Sequence, residues 1–220
     1  MPGPLAGVHV LEVCGYITGP FAGQMLADYG AEVIKIEPPG EGDPFRGPDL
    51  YRPAYIAQNR SKRSLTLNLK SERGREVFYK LMPQTDVVTQ NMRPGVAERL
   101  GIGYEQLREL RPDLIYCSIS GFGATGPYAH RPSYNEIGSG LSGLLSQLVD
   151  VKHPKPIGPG LSDTITGIYA AQGVLAALYA RATTGQGQHV EVSQLEATLG
   201  LMTGPFAQFF ADGRIESAYD

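Results

Sequence analysis

The chain has no tryptophan, only two cysteines and only four histidines in 220 residues, and each scarcity removes a class of function. Cys14 and Cys117 are too far apart for a zinc knuckle, and His9, His130, His153 and His189 never fall at H-E-x-x-H or a comparable metal-ligand spacing. Both thiols lie in apolar, strand-like contexts and read as buried, reduced cysteines of a cytoplasmic protein. Basic charge is not in excess. Nineteen Lys and Arg stand against 22 Asp and Glu, a net charge of −3, which argues against a nucleic-acid or membrane-surface partner. Neither G-x-x-x-x-G-K-[ST] nor G-x-S-x-G occurs, so a P-loop and a nucleophile elbow are excluded. Met1-Pro2-Gly3-Pro4 has neither the charged nor the apolar region of a secretory signal. The longest apolar stretch, 167–180, contains Gln172 and falls short of the roughly 20 residues a bilayer requires, so it reads as a buried helix. With so few histidines, chemistry is expected to run on carboxylates, backbone donors or a bound cofactor.

What remains is an ordinary globular composition, 42% apolar and 19% charged, in a chain long enough for a full core. The 28 glycines and 17 prolines are spread as punctuation. Residues 8–13 form a β-branched run, 15–20 a turn, 21–29 a helical pattern ended by Gly30, and 32–37 a second strand stopped by Pro38-Pro39. A loop rich in Gly, Pro and Arg follows over 38–63. Strand patterns at 64–69, 86–90, 114–120 and 188–193 then alternate with helical ones at 71–82, 94–100, 104–110, 135–149 and 163–182. Residues 194–210 are again helical, and Ser71 is the expected cap of the 71–82 helix. Such alternation predicts an α/β fold with a mostly parallel sheet and flanking helices. Ligands then bind beyond the carboxyl ends of the strands, here the loops at 14–20, 38–63, 91–95 and 121–135.

One motif misleads. Gly138-Ser139-Gly140-Leu141-Ser142-Gly143 satisfies G-x-G-x-x-G, and Asp163 lies twenty residues past its last glycine. The dinucleotide fingerprint needs a strand before it and a helix after it, and here Arg131-Pro132-Ser133-Tyr134-Asn135 precedes it. These glycines are expected to permit close helix packing. The N-terminal unit has Glu37 closing its second strand, but its turn, Gly15-x-x-x-Gly19-x-x-x-Gly23, is not the fingerprint either.

Five segments in order carry a resemblance. They are 5–37, with Leu26-Ala27-Asp28-Tyr29-Gly30-Ala31-Glu32-Val33-Ile34-Lys35-Ile36-Glu37; 61–70, with Ser61-Lys62-Arg63-Ser64-Leu65-Thr66-Leu67-Asn68-Leu69-Lys70; Gln90-Asn91-Met92-Arg93-Pro94-Gly95-Val96; 114–128; and 163–192, from Asp163-Thr164-Ile165-Thr166-Gly167 to Gly185-Gln186-Gly187-Gln188-His189-Val190-Glu191-Val192. Together they resemble the family III CoA-transferases, the group that includes formyl-CoA transferase and α-methylacyl-CoA racemase. The resemblance implies a Rossmann-like large domain over 1–192 and a helical segment over 193–220. The segment would lead toward a smaller second domain, as family members are roughly twice this long and the chain looks truncated.

The resemblance further implies an enzyme that moves coenzyme A between carboxylic acids, with acyl-CoA as substrate and no tightly bound cofactor. Asp163 would be the catalytic carboxylate, forming first a mixed anhydride and then an enzyme thioester. Lys62, Arg63, Asn91, Met92 and Arg99 would bind coenzyme A, and the protein would be an interlocked homodimer. A carboxylate at a helix start suits this chemistry, since the dipole and free amides favour its charged form, although aspartate is also a common N-cap. Two departures bear on the reaction. Ser133-Tyr134-Asn135 replaces the Gly-His-Asp of the racemase branch, which removes the second base and favours transfer over racemisation. Ile17 replaces the glutamine of formyl-CoA transferase, so formyl or oxalyl substrates are not implied. A non-catalytic CoA-binding subunit or remnant is the rival reading.

Overall fold

Alternating faces organise the sheet. In β1 (His9–Val13), Val10 turns to one side and Leu11 and Val13 to the other, and Val33 and Ile36 part in the same way along β2 (Glu32–Glu37). Between them runs α1 (Thr18–Asp28), closed by Gly30 at φ 100°, a conformation that glycine adopts without strain. The computed structural model describes residues 2–47, 51–155 and 158–214. Next come α2 (Arg52–Gln58), β3 (Lys62–Thr66), α3 (Glu72–Leu81), β4 (Val87–Gln90), α4 (Val96–Arg99), α5 (Tyr104–Leu110) and β5 (Ile115–Ser120). The chain continues through α6 (Asn135–Leu141), α7 (Leu144–Leu148), α8 (Leu161–Thr184), β6 (Gln188–Ser193), α9 (Gln194–Leu199) and α10 (Thr203–Asp212). The six strands form one all-parallel sheet in the order β3-β2-β1-β4-β5-β6. The chain therefore reverses direction between β1 and β4, and the crevice at their carboxyl ends is where such sheets bind ligands.

Two apolar layers cover the sheet. One joins Val10, Leu26, Val33, Val87, Ile115 and Ile119 to Ala170, Ala171 and Val174 of α8. The other joins Leu11, Ile36, Val88, Leu114 and Tyr116 to Phe78, Met82, Ile102 and Leu107. The alanines of α8 let that helix lie close to the sheet. At Gly167 a Cβ would stand 2.8 Å from the Thr18 carbonyl oxygen, so only glycine allows the starts of α8 and α1 to meet.

The expected α/β architecture is present, with local differences. The helix expected over 135–149 breaks into α6 and α7 because Gly143 takes φ 81°. The 38–63 loop contains α2, and β3 begins at Lys62, two residues earlier than the pattern suggested. The helix containing Asp163 starts at Leu161 after Gly160, so Asp163 occupies the first turn and is not the N-cap. Ser71 caps α3 as expected, accepting from the Gly74 amide at 3.1 Å. The helical stretch after β6 divides into α9, a short 3-10 turn at Gly200–Met202 and α10, and α9 packs against α8. Gly138 does serve helix packing, since a Cβ there would meet Ser162 Oγ at 2.3 Å. No helix among the described residues is long and apolar enough to cross a membrane.

Candidate active site

Asp163 lies in a cleft of about 330 Å³ at the carboxyl ends of the central strands. Its walls come from the β1–α1 turn (Tyr16, Thr18), the segment after β4 (Asn91, Met92, Arg93, Pro94), the end of β5 (Ser120, Gly121), Ala129 and residues 131–134. Three of the four loops flagged in the sequence thus converge here. Asp163 Oδ1 accepts two hydrogen bonds, from Thr18 Oγ1 at 2.9 Å and Gln194 Nε2 at 2.6 Å. Oδ2 has no hydrogen-bond partner among the described residues. The Asp163 amide points toward Asn135 Oδ1 at 3.4 Å, which also takes the Ser162 amide at 3.0 Å, so Asn135 does the capping that Gly160 cannot. Burial pushes the Asp163 carboxyl above its ordinary value and Glu136 adds to the push, while the bonds from Thr18 and Gln194 pull against it.

The residues predicted to bind coenzyme A separate into three groups. Asn91 and Met92 line the cleft beside Asp163. Asn91 clamps the β1–α1 turn from both sides, accepting from the Gly15 amide at 3.1 Å and donating to its carbonyl at 2.8 Å. Met92 also borders two adjoining hollows. One, of about 440 Å³, is largely apolar, with Pro38, Pro39, Leu67, Leu69, Leu100 and Lys70 in its walls. The other, of about 460 Å³, contains Arg99, together with Arg93, His130 and His189. Arg99 is therefore next to the cleft and separated from it by the 92–95 segment.

Lys62 and Arg63 lie elsewhere. The Lys62 ammonium is 2% exposed and spends its donors on Glu12 Oε2 at 2.7 Å, the Pro20 carbonyl at 2.7 Å and Asn59 Oδ1 at 3.0 Å. Arg63, on the edge strand, is 75% exposed and pairs with Glu32 at 3.0 Å. Neither lines a cavity beside Asp163.

Thr18 and Gln194 were not foreseen from the sequence, because each meets Asp163 across a long stretch of chain. One weak signal existed for both, since each directly follows a strand or the turn after it on the ligand-binding edge of the sheet. Cys14 and Cys117 are buried free thiols, and burial pushes Cys117 up to about 12.

The model of CoA-transferase family III matches residues 5–219. The chain belongs to that family. Among relatives of this family III chain, the succinyl-CoA–D-citramalate CoA-transferase of Chloroflexus aurantiacus is 40% identical over 97% of this chain and 55% of its own length. The acetyl-CoA:oxalate CoA-transferase of Acetobacter aceti is 41% identical over 96% of this chain and 56% of its own. The crystal structure of a CAIB/BAIF family protein from Brucella suis superposes with a TM-score of 0.92 at 36% identity, covering 99% of this chain and 60% of that one. The chain thus spans about half the length of the curated relatives it matches.

Proposed function

We propose that this family III chain supplies the nucleophile and much of the binding surface for moving coenzyme A between carboxylic acids. The observation that carries the reading is the Asp163 carboxylate. It sits in the cleft, in the first turn of α8, with one oxygen held by two neutral donors and the other unpartnered. Its raised pKa makes it more basic than a solvated carboxylate, and the donors and the helix start favour its ionised form.

Asp163 Oδ2 attacks the thioester carbonyl carbon of the donor acyl-CoA, the C–S bond breaks, and a mixed anhydride forms as coenzyme A thiolate leaves. The thiolate then attacks the Asp163 carbonyl carbon, which releases the donor acid as its carboxylate and leaves an aspartyl-CoA thioester. An acceptor carboxylate repeats these steps in reverse, so a new acyl-CoA departs and the Asp163 carboxylate is restored. Coenzyme A is a substrate here, and it would pass over Met92, the side chain shared by the cleft and both neighbouring hollows. The apolar hollow beside Leu100 suits an adenine ring, and Lys70 in its wall and Arg99 in the neighbouring hollow are the cations that would meet phosphates. Asn91 would act by holding the β1–α1 turn in place. We also place the protein in the cytoplasm as a homodimer. Two reduced thiols support the first, and the exposed apolar side chains Leu201, Phe206, Phe209 and Phe210 support the second.

Racemisation is the less favoured reading. It needs a second base opposite the carboxylate, and the cleft-lining residues include no histidine. Tyr134 packs edge-on against Tyr16, and Asn135 is occupied with capping α8.

The test is hydroxylamine trapping after incubation with an acyl-CoA. Asp163 is expected to be converted to its hydroxamate, and Asp163→Asn to lose transfer. Transfer within tenfold of the parent by a folded Asp163→Asn protein would refute the nucleophilic role.

A further inference from the structure

Transfer through Asp163 asks two different things of its carboxyl group. The group attacks the donor thioester through Oδ2. In the next two steps its own carbon, Cγ, is the one attacked, first by the coenzyme A thiolate on the anhydride and then by the acceptor carboxylate on the thioester. Each attack pushes the carbonyl electron pair onto Oδ1. The pair returns as the Cγ–Oδ2 bond breaks in the first case and the Cγ–S bond in the second. A full negative charge therefore develops at Oδ1 twice in every transfer.

Donors are concentrated on that oxygen. Thr18 Oγ1 at 2.9 Å and Gln194 Nε2 at 2.6 Å both point at Oδ1. Each is held in place by its own surroundings. Gln194 is buried, and its Oε1 accepts from the Ser133 hydroxyl at 2.6 Å, which leaves Nε2 facing Asp163. A Cβ at Gly138 would stand 2.9 Å from Gln194 Cγ, so the side chain is pressed against the backbone of α6. Thr18 opens α1, and its carbonyl is lodged against Gly167 of α8. Donors fixed before the reaction need no reorganisation when charge appears. Ser133 belongs to the triplet that stands in place of the racemase Gly-His-Asp, and here it steadies a donor to the nucleophile.

We propose that Thr18 and Gln194 form an oxyanion hole for the protein's own carboxyl group, stabilising the tetrahedral intermediates centred on Asp163 Cγ, with Ser133 as the residue that positions Gln194. This rests on the assignment of Asp163 as the nucleophile. In the anhydride and in the thioester Oδ1 is a neutral carbonyl oxygen. Both donors therefore bind the transition state for attack on Cγ more strongly than the intermediate that precedes it. The opening attack on the donor thioester places its charge on the substrate's oxygen, out of reach of this pair.

The experiment treats the chain with acetyl-CoA, and in parallel with succinyl-CoA, in the presence of hydroxylamine. Attack on Cγ leaves Asp163 as its hydroxamate, whereas attack on the acyl carbon of the anhydride releases a free acyl hydroxamate and restores Asp163. Mass spectrometry follows the initial rates of both products, and the Asp163→Asn protein supplies the background from hydroxylamine acting on the thioester directly. Gln194→Leu and Thr18→Val should each lower the ratio of Asp163 hydroxamate to free hydroxamate by roughly 100-fold, as for loss of one oxyanion donor. Thr18→Ser, which restores a hydroxyl, should recover most of that loss. Ser133→Ala keeps both donors and should lower the ratio by a smaller factor, with no further effect when added to Gln194→Leu. A role in shape alone would slow both products together and leave the ratio constant, and that result overturns the proposal. So does an additive effect of Ser133→Ala on Gln194→Leu, for the positioning role. Failure of both thioesters to label Asp163 in the folded parent chain would overturn the nucleophile reading itself.

Discussion

Two carboxylates approach α1, one buried and one half-buried, and their surroundings are opposite. Glu12, fully buried, is held between Lys35 at 2.9 Å and Lys62 at 2.7 Å, and Lys35 reaches on to Asp43 at 2.9 Å and the Cys14 carbonyl at 2.8 Å. Asp163 has no cation at contact distance, only the Thr18 hydroxyl and the Gln194 amide on one oxygen. A carboxylate saturated by opposite charge fixes geometry. One held by neutral donors through a single oxygen keeps the other for chemistry.

The two regions are nevertheless joined through the β1–α1 turn. Tyr16 takes φ 64°, an unfavourable conformation for a non-glycine residue, and its amide donates to Asp43 Oδ1 at 3.3 Å. The ionic cluster thereby supports a wall of the cleft. It also dictates sequence on α1, since a Cβ at Gly23 would stand 1.8 Å from Glu12 Oε2. The lysines respond differently to the same anion. Burial lowers both, but Glu12 and Asp43 outweigh it for Lys35, which ends above its ordinary value, while Lys62 ends below.

The sharpest way to break the comparison is to neutralise each carboxylate in turn. Asp163→Asn should lower transfer by on the order of a thousandfold or more, as for loss of a nucleophile. Its folding stability at neutral pH should be unchanged or raised. The sign follows from the raised folded pKa, since stability from such an acid is lost as pH rises through it, and the amide removes that loss. Glu12→Gln should behave the other way, costing about 3–5 kcal/mol by leaving two buried ammonium groups underpaired. Urea denaturation of both proteins checks this, and a Glu12→Gln protein as stable as the parent would dissolve the distinction.

Among the cations, Arg99→Ala should weaken coenzyme A binding by about 1–3 kcal/mol, and less for ligands without phosphates. Equal losses for coenzyme A and pantetheine in calorimetry would make Arg99 structural. Gln194→Leu should move the acid limb of kcat/KM to higher pH, because the amide's hydrogen bond favours the ionised carboxylate. An unmoved limb would separate Asp163 from that limb. At Glu37, burial alone would raise the pKa. Hydrogen bonds from Arg46, Ser64 and the Asp43 amide outweigh it and hold the carboxyl at about 2. That stability is present above the ordinary value of 4.5 and lost as pH falls toward about 2, so Glu37→Gln should flatten the acid limb of urea stability there. Smallest of all, Arg63→Ala should change stability by less than about 1 kcal/mol, as for an exposed pair, and leave coenzyme A affinity unaltered.

The parallel sheet, most of its helices and the loops that form the cleft are legible in the residue pattern, while α2 within 38–63 and the break at Gly143 are not. Hydrophobic period and glycine or proline punctuation are local properties. Asp163 was singled out by the family resemblance, and the cleft places it beside Asn91 and Met92. Lys62 illustrates what a pattern hides. The resemblance marks it as a coenzyme A contact, and no local pattern shows that β3 starts at Lys62 in a register that sets it opposite Val33, on the face where Glu12 is buried. Neighbouring Arg63 then falls on the other face of the same strand.

The sequence alone determined the α/β class, the absence of basic excess and of P-loop and zinc motifs, and the family. These depend on composition, on short-range period and on segments whose order along the chain is itself the signal. Tertiary structure decided which charges are spent and which remain open. Thr18 and Gln194 meet Asp163 only because Gly167 lets α8 close on α1 and because β6 ends beside the cleft. Glu12 and Lys35 face each other only through the register of β1 with β2. A side chain's ionisation and reach are set by neighbours tens of residues away, and no local pattern along the chain encodes which neighbours those will be.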